Sequence, residues 1–452
     1  MHTKFRPLAA VAAVAVAAAL ITGCTSNASG DSGKVSITVA GQPSKENPDQ
    51  LKAFNQKVET FNKANADIKV TGEESDWNAS TFQALVAGGK LPTVFYVPFT
   101  EIQGVIARQQ AIDLTDSLTK DSDVNRINPS ILSVAKASNG HIYGVPTAAY
   151  SMGLLYNRAL FAKAGLDPDK PPTTWDEVRS AAKKIQDATG VQGFGAMTKD
   201  NTGGWVLTAM SYANGSTIQS KDGKKAKLDN DATREALQFY RELRWDDNTF
   251  GSNFLVGYND AMSMLAGGKV GMIVQGADAY TTVVQSLGMK ADDFGLAPLP
   301  QASKGIGTLG GGSVAIVSPK ATPDQVKAAL KWIDFASFKK YGSESAAVTN
   351  AKAAAADKLP VGAPELPLFD QATTDRYYGW IADEINVPRK NFSAYFSSAQ
   401  SLPLVPEPST KAQEIYSVMD NVVQSVLTQQ NADIDALLSD AQKKAQAVID
   451  AG

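Results

Sequence analysis

Leu85-Val86-Ala87-Gly88-Gly89-Lys90-Leu91-Pro92, running on to Val94-Phe95-Tyr96-Val97, places a helix end, a stop and a strand in one short stretch. Gly88 and Gly89 accept the backbone turn that ends a helix. Val94 to Val97 is apolar at every position, as a parallel strand covered on both faces is. The same grammar extends upstream. Val35-Ser36-Ile37-Thr38-Val39 alternates apolar and polar and predicts a first strand. Leu51, Phe54, Val58 and Phe61 recur at helical spacing and give one apolar face. Ile68 to Val70 is a short second strand, and Phe82 to Ala87 closes the next helix. Strands that alternate with helices mean an α/β architecture.

Downstream the pattern returns in kind. Thr174-Trp175-Asp176-Glu177 matches a capping box, with Val178, Ala181, Ala182 and Ile185 following at helical spacing. Strands are predicted over Gln192–Met197, over Met272-Ile273-Val274 up to Gly276, and over Ser313–Val317. Further helices run through Ala236, Leu237, Tyr240 and Leu243, through Val326, Leu330 and Ile333, and through Ile434, Leu437, Leu438, Ala441, Ala445 and Val448. Leu359 to Pro408 is rich in proline and aromatics and weakly periodic, so irregular structure bordering a cleft is expected there. Gly88-Gly89-Lys90 and Gly267-Gly268-Lys269 look alike, but both read as helix stops and not as an internal repeat.

The N-terminus has a basic start, Lys4 and Arg6, then an apolar run from Leu8 to Ile21 too short to span a bilayer comfortably. This is the layout of a cleaved secretory signal. Ile21-Thr22-Gly23-Cys24 resembles the bacterial lipobox, in which the cysteine is lipidated and becomes the new N-terminus. Residues 1–23 are therefore expected to be a signal peptide. Residues 24–34 would be the lipidated Cys24 and a flexible Ser/Gly/Asn/Asp tether. The body would sit outside the cell, anchored to the outer face of the membrane.

The 452-residue chain exceeds the size at which one core keeps growing, so two lobes are expected. With 43 basic and 46 acidic residues the net charge is −3, and no basic patch favours nucleic acid. Cys24 is the one cysteine, so the body is expected to have no disulfide and no thiolate metal site. His2 would leave with the signal, which leaves His141, in a turn-like Asn139-Gly140-His141 context, to serve any triad or two-histidine metal site. Paired carboxylates for glycan hydrolysis remain open, because Asp and Glu are plentiful and no pair stands out.

In order along the chain, several segments resemble the extracellular solute-binding proteins of sugar ABC transporters, the maltose-binding-like group. They are the lipobox; Leu85 to Pro92; Ile142-Tyr143-Gly144-Val145-Pro146 with Leu155-Tyr156-Asn157-Arg158; Phe161 to Leu166 with Pro171 to Glu177; Met264 to Ile273; and Phe294 to Pro300 with the glycines at 310–312. The resemblance implies an α/β, two-lobe periplasmic-binding-protein-like fold with a hinge and an interlobe ligand cleft. Family topology would put 35–146 and about 302–352 in lobe one, and 151–298 and about 353–452 in lobe two. It implies a monomer without cofactor that hands a carbohydrate to ABC permease membrane subunits.

A sugar offers apolar C–H faces and a rim of hydroxyls, so its site needs flat rings together with fixed donors and acceptors. Rings at strand ends are Trp77, Tyr150, Trp205 and Tyr280, with Trp380 in the late aromatic region. Polar candidates are Gln42, Thr100, Glu101 and Asp278, and Gly311 and Gly312 would let backbone N–H groups approach a ligand. A lone Trp or Tyr also serves simply as packing, and a glycine run also makes a tight turn. Trp175 and Trp332 read as packing residues. Two departures from the family pattern stand out. Gly276-Ala277-Asp278 occupies the place where many relatives resemble Gly-Pro-Trp, so a carboxylate replaces a ring. Thr93 follows Pro92 where relatives commonly have Asp. The same fold would also serve a polyol, peptide or sugar phosphate.

Overall fold

The computed structural model describes residues 33–118, 122–253, 255–399 and 401–451. The signal and lipidation expectations, Cys24 included, lie outside these residues.

Among the described residues nine strands join in one sheet: β1 (Val35–Val39), β2 (Ile68–Gly72), β3 (Val94–Pro98), β4 (Val145–Asn157), β5 (Gln192–Gly195), β6 (Val270–Gly276), β7 (Phe294–Pro298), β8 (Thr308–Val317) and β9 (Leu404–Pro406). The order is β2-β1-β3-β8-β4-β6-β5, with β7 on β4 and β9 on β8. β1 pairs in parallel with β2 and β3, whereas β3 pairs antiparallel with β8. The strand expected to be purely parallel therefore has one neighbour of each sense.

β4 is what joins the two halves. Its first half, Val145 to Ser151, pairs with β8; its second half, Met152 to Asn157, pairs with β6 and β7. A register shift between Pro146 and Ala148 interrupts the pairing with β8 ahead of the change of partners at Ser151 and Met152. Two separate cores follow from this switch. One holds Ile37, Val39, Phe82, Val94, Phe95 and Trp332; the other holds Leu154, Tyr156, Phe161, Phe194, Tyr240 and Met272. At the crossing, the hydroxyls of Ser151 and Tyr395 lie 2.7 Å apart and tie β4 to the C-terminal segment.

Local signals are realised as read. Thr174 and Glu177 close a reciprocal capping box on the helix Trp175–Thr189. Gly88 caps the helix Ala79–Ala87, and Gly89 follows at φ +64°. Leu359–Pro408 is more regular than expected: it contains the helices Gln371–Trp380 and Ser393–Ser398 as well as β9. These helices are short and aromatic-rich, so they lack the stripe that makes periodicity visible. Nor does the segment after 353 keep to the second core. Leu366, Leu368, Phe369 and Leu404 pack into the first, and Val361 and Ile381 join Ala347 and Ala351, from before 353, in a third cluster.

At the end of the helix Pro323–Ile333, partial desolvation and the neighbouring Asp123 carboxylate push the Asp334 carboxyl up to about 6, with Arg126 opposing. The folded chain thus holds this proton more tightly than the unfolded chain, where the value is about 3.9. Stability from this group rises as pH falls through 6 and levels off near the unfolded value. Asp334→Asn is expected to flatten the wild-type slope of unfolding free energy between about pH 6.5 and 4, measured by urea titration. An unchanged slope would remove Asp334 as its source.

Candidate functional site

Trp205 sits on the first turn of the helix Thr202–Ala213. That helix begins after Asn201 in the left-handed region, φ 67°, so its orphan N–H groups need an outside acceptor. Asp420, on the neighbouring helix Ala412–Thr428, supplies it, accepting from the N–H of Gly204 at 2.7 Å and of Asn201 at 2.8 Å. Burial pushes the Asp420 carboxyl up, and these backbone donors oppose it. Gly203 and Gly204 permit the approach. A Cβ on Gly204 would overlap the Tyr416 carbonyl oxygen and stand 2.5 Å from its Cα. The indole is thus aimed by a backbone-to-backbone helix contact.

The Trp205 indole N–H donates to Glu407 Oε1 at 3.0 Å. Glu407 stands just past β9, in Pro406-Glu407-Pro408. Burial pushes its carboxyl up, and polar contributions from Trp205, Tyr416 and Tyr150 partly restore the charged form. Tyr150, near the middle of β4, meets Trp205 edge to face, with ring centroids 6.5 Å apart at 71°. Burial first, then the charges of Glu407 and Asp278, push the Tyr150 phenol up. Asp278 folds back over Gly276, where a Cβ would also come within 3.5 Å of the Tyr150 ring. Solvent reaches the Asp278 side chain, yet the surrounding walls disfavour its charge and push its carboxyl up. A group in this condition lines an opening and is not sealed in a core.

Gly311 and Gly312 lie within β8, paired with Tyr150 and Ala149 of β4. They are not a turn. On the other edge of β8, β9 reaches Gly310 and β3 begins at Ser313, so the two glycines bridge a gap between β9 and β3. A Cβ on Gly311 would lie 2.5 Å from Tyr150 Cζ, and one on Gly312 would lie 2.8 Å from the Phe99 ring. Both glycines seat aromatic rings.

The opposite wall comes from the ends of β1, β2 and β3. Gln42 donates its backbone N–H to Glu73 O at 3.1 Å and extends its side chain over Gly72. Trp77 is half-buried, with its ring 4.9 Å from Phe82. Thr100 and Glu101 start the helix Phe99–Ala107. Burial pushes the Glu101 carboxyl up; Arg108 opposes, and Glu414 on the helix Ala412–Thr428 adds to the rise. That like charge from the other core shows the two walls facing each other.

Two expected site residues lie elsewhere. Tyr280 is 2% exposed and packs edge-on against Phe294 at 5.1 Å and Phe392 at 5.5 Å. Its ring turns to the side of the chain that Phe294 and Phe392 fill, into the second core. Trp380 packs in the third cluster beneath Arg376, 5.3 Å from its ring centroid. Its helix stacks on Tyr341 and not on the facing walls. Glu407 and Tyr416 were missed. The signal available for Glu407 was a charge held between two prolines in an aromatic stretch. His141 is exposed and pairs with Asp113 through Nδ1 at 2.5 Å, a surface contact.

Two cores, joined by a strand that changes partners and facing each other across a gap of rings and carboxylates, define a protein that closes on a ligand. Residues 45–342, well over half the chain, match the family model for bacterial extracellular solute-binding proteins, and the chain belongs to that family. A binding protein of Brucella abortus (strain 2308) is 27% identical over 432 residues, covering 93% of this chain and 94% of that one. Among solved structures, the cyclic α-maltosyl-1,6-maltose binding protein of Arthrobacter globiformis superposes with a TM-score of 0.71 at 24% identity. The match covers 93% of this chain and all of that one. UgpB of Mycobacterium tuberculosis, in complex with glycerophosphocholine, superposes with a TM-score of 0.68 at 20% identity, covering 93% and 99%. The fold is the two-lobe one these proteins share.

Proposed function

We propose that this chain captures a sugar or oligosaccharide between its lobes and delivers it to the membrane subunits of an ABC importer without altering it covalently. The observation that carries the reading is the Tyr150–Trp205 pair, with Glu407 held on the indole and Asp278 beside the phenol. Rings supply the surface that a sugar's C–H face needs, and the carboxylates accept from its hydroxyls. The kinship with the cyclic maltosyl-maltose binding protein supports a carbohydrate over other solutes. Lobe one would comprise 35–146 and about 302–352, and lobe two 151–298 and about 353–452, with residues 366–369 and Leu404 lending side chains to the first core. β4 and β8 would form the hinge, and ligand would favour closure by its preference for the closed form. Lipid on Cys24 would hold a monomer at the outer face of the cell membrane.

A thermal-shift screen of residues 25–452 against mono- and oligosaccharides tests this. At least one is expected to raise the melting temperature in proportion to the logarithm of its concentration, with the saccharide recovered intact. Recovery of cleaved sugar would establish a glycan-acting enzyme instead. No shift with any saccharide would end the carbohydrate reading.

A further inference from the structure

We propose that Gln219 and Tyr212 are positioning residues of the saccharide site: they fix the strap 406–410 against the second core and so hold the Glu407 carboxylate where a sugar hydroxyl meets it. This rests on the carbohydrate reading above and deepens it.

The strap reads Pro406-Glu407-Pro408-Ser409-Thr410 and carries no large aliphatic or aromatic side chain that could seat it in a core. Its placement falls to hydrogen bonds and to the two prolines, whose rings fix φ on either side of Glu407 and remove two N–H groups. Upstream, β9 lies along β8, and Thr308 donates its N–H to the Pro403 carbonyl at 2.9 Å. The Tyr212 hydroxyl donates to the Pro406 carbonyl at 3.1 Å, one residue before the carboxylate. Beyond Glu407, a single amide engages both backbone groups of Thr410. Gln219 Nε2 donates to the Thr410 carbonyl at 2.8 Å, and Oε1 accepts from the Thr410 N–H at 3.2 Å and from the Ser409 hydroxyl at 3.4 Å. A Cβ on Gly223 would overlap the Thr410 hydroxyl, so the turn after Gln219 also lies close against the strap.

Trp205 and Tyr212 stand seven residues apart on the helix Thr202–Ala213 and therefore share a face. The first meets the Glu407 side chain, the second the backbone just before it. Tyr212 is 2% exposed and Gln219 5% exposed. A glutamine is rarely buried so far, and here both ends of its amide are spent on the strap. Glu407 itself stays half-buried. Buried, committed side chains thus hold a carboxylate that is still open, which orders the acceptor before a sugar arrives. Releasing the strap would leave Glu407 present but unaimed, and the sugar would have to order it on binding.

The test is calorimetric titration of the soluble body, residues 25–452, with glucose, maltose, cellobiose and trehalose. The tightest of these is then carried through a double-mutant cycle of Gln219→Ala and Glu407→Ala. Gln219→Ala is expected to weaken binding about tenfold in the parent but less than about twofold beside Glu407→Ala, where no carboxylate is left to aim. Tyr212→Phe, which deletes one oxygen atom, should follow the same pattern with a smaller loss. It carries the test if Gln219→Ala melts below the titration temperature. Equal penalties in both backgrounds would make these residues merely structural and overturn the proposal while the saccharide site stands. No penalty in either background would overturn it as well. If the parent binds no saccharide of this panel or of the wider screen, the carbohydrate reading fails and the proposal falls with it.

Discussion

Trp205→Ala is expected to weaken saccharide binding about a hundredfold, roughly 2.7 kcal/mol. Three losses converge on this residue. The stacking face disappears. Tyr150 loses its edge-to-face partner. Glu407 loses the N–H donated at 3.0 Å, so its carboxyl rises further and its acceptor is no longer aimed. Because the indole also packs on the second core, the unliganded protein should lose about 1–3 kcal/mol. Trp205→Phe separates these effects. It keeps a ring but not the N–H, and it should recover part of the affinity while leaving Glu407 without its donor. Titration calorimetry on the three proteins is the measurement. Equal affinities would remove Trp205 from the site.

Gly204→Ala should produce the largest change in stability. In a helix interior alanine is ordinarily favoured over glycine by about 1 kcal/mol. Here the new methyl would overlap the Tyr416 carbonyl oxygen and lie 2.7 Å from its carbonyl carbon. Both are backbone atoms of a packed helix, so no rotamer change relieves the overlap. Overpacking typically costs about 1–3 kcal/mol, and an overlap with fixed backbone falls at the upper end of that range or beyond it. The clash wins, and a net loss of roughly 2 kcal/mol or more is expected in urea unfolding. The same shift would move Tyr416 away from Glu407, so affinity should fall too. Gly379→Ala is the internal control. Its Cβ would meet nothing within 4 Å, and the substitution should stabilise by about 0.5–1 kcal/mol. If Gly204→Ala were as stable as the parent, the close helix contact would not exist as described.

The site was legible where neighbours in sequence decide the outcome. Tyr150 was visible because it follows a crossing strand, and Trp205 because two glycines precede it. Asp278 was visible because it stands at the end of β6 in place of a ring. The misplacements share one cause. Tyr280 is only two residues beyond Asp278, yet it faces Phe294 and Phe392. Which side of a turn a ring takes depends on what the rest of the chain packs there. Trp380 went astray in the same way, drawn into a third cluster that no periodic stripe announced.

The sequence by itself determined the α/β alternation, the helix stops at Gly88 and Gly89, the capping box at Thr174 and the apolar strands, because each is settled by bonding within a few residues. Only the tertiary structure decided that Glu407 would meet Trp205, 202 positions away, and that Asp420 would cap the helix at Gly204, 216 positions away. Those contacts exist because a long strand shifts from one set of partners to another and folds the C-terminal segment back between two cores. A carboxylate's role there depends on desolvation and on donors that distant parts of the chain bring to it.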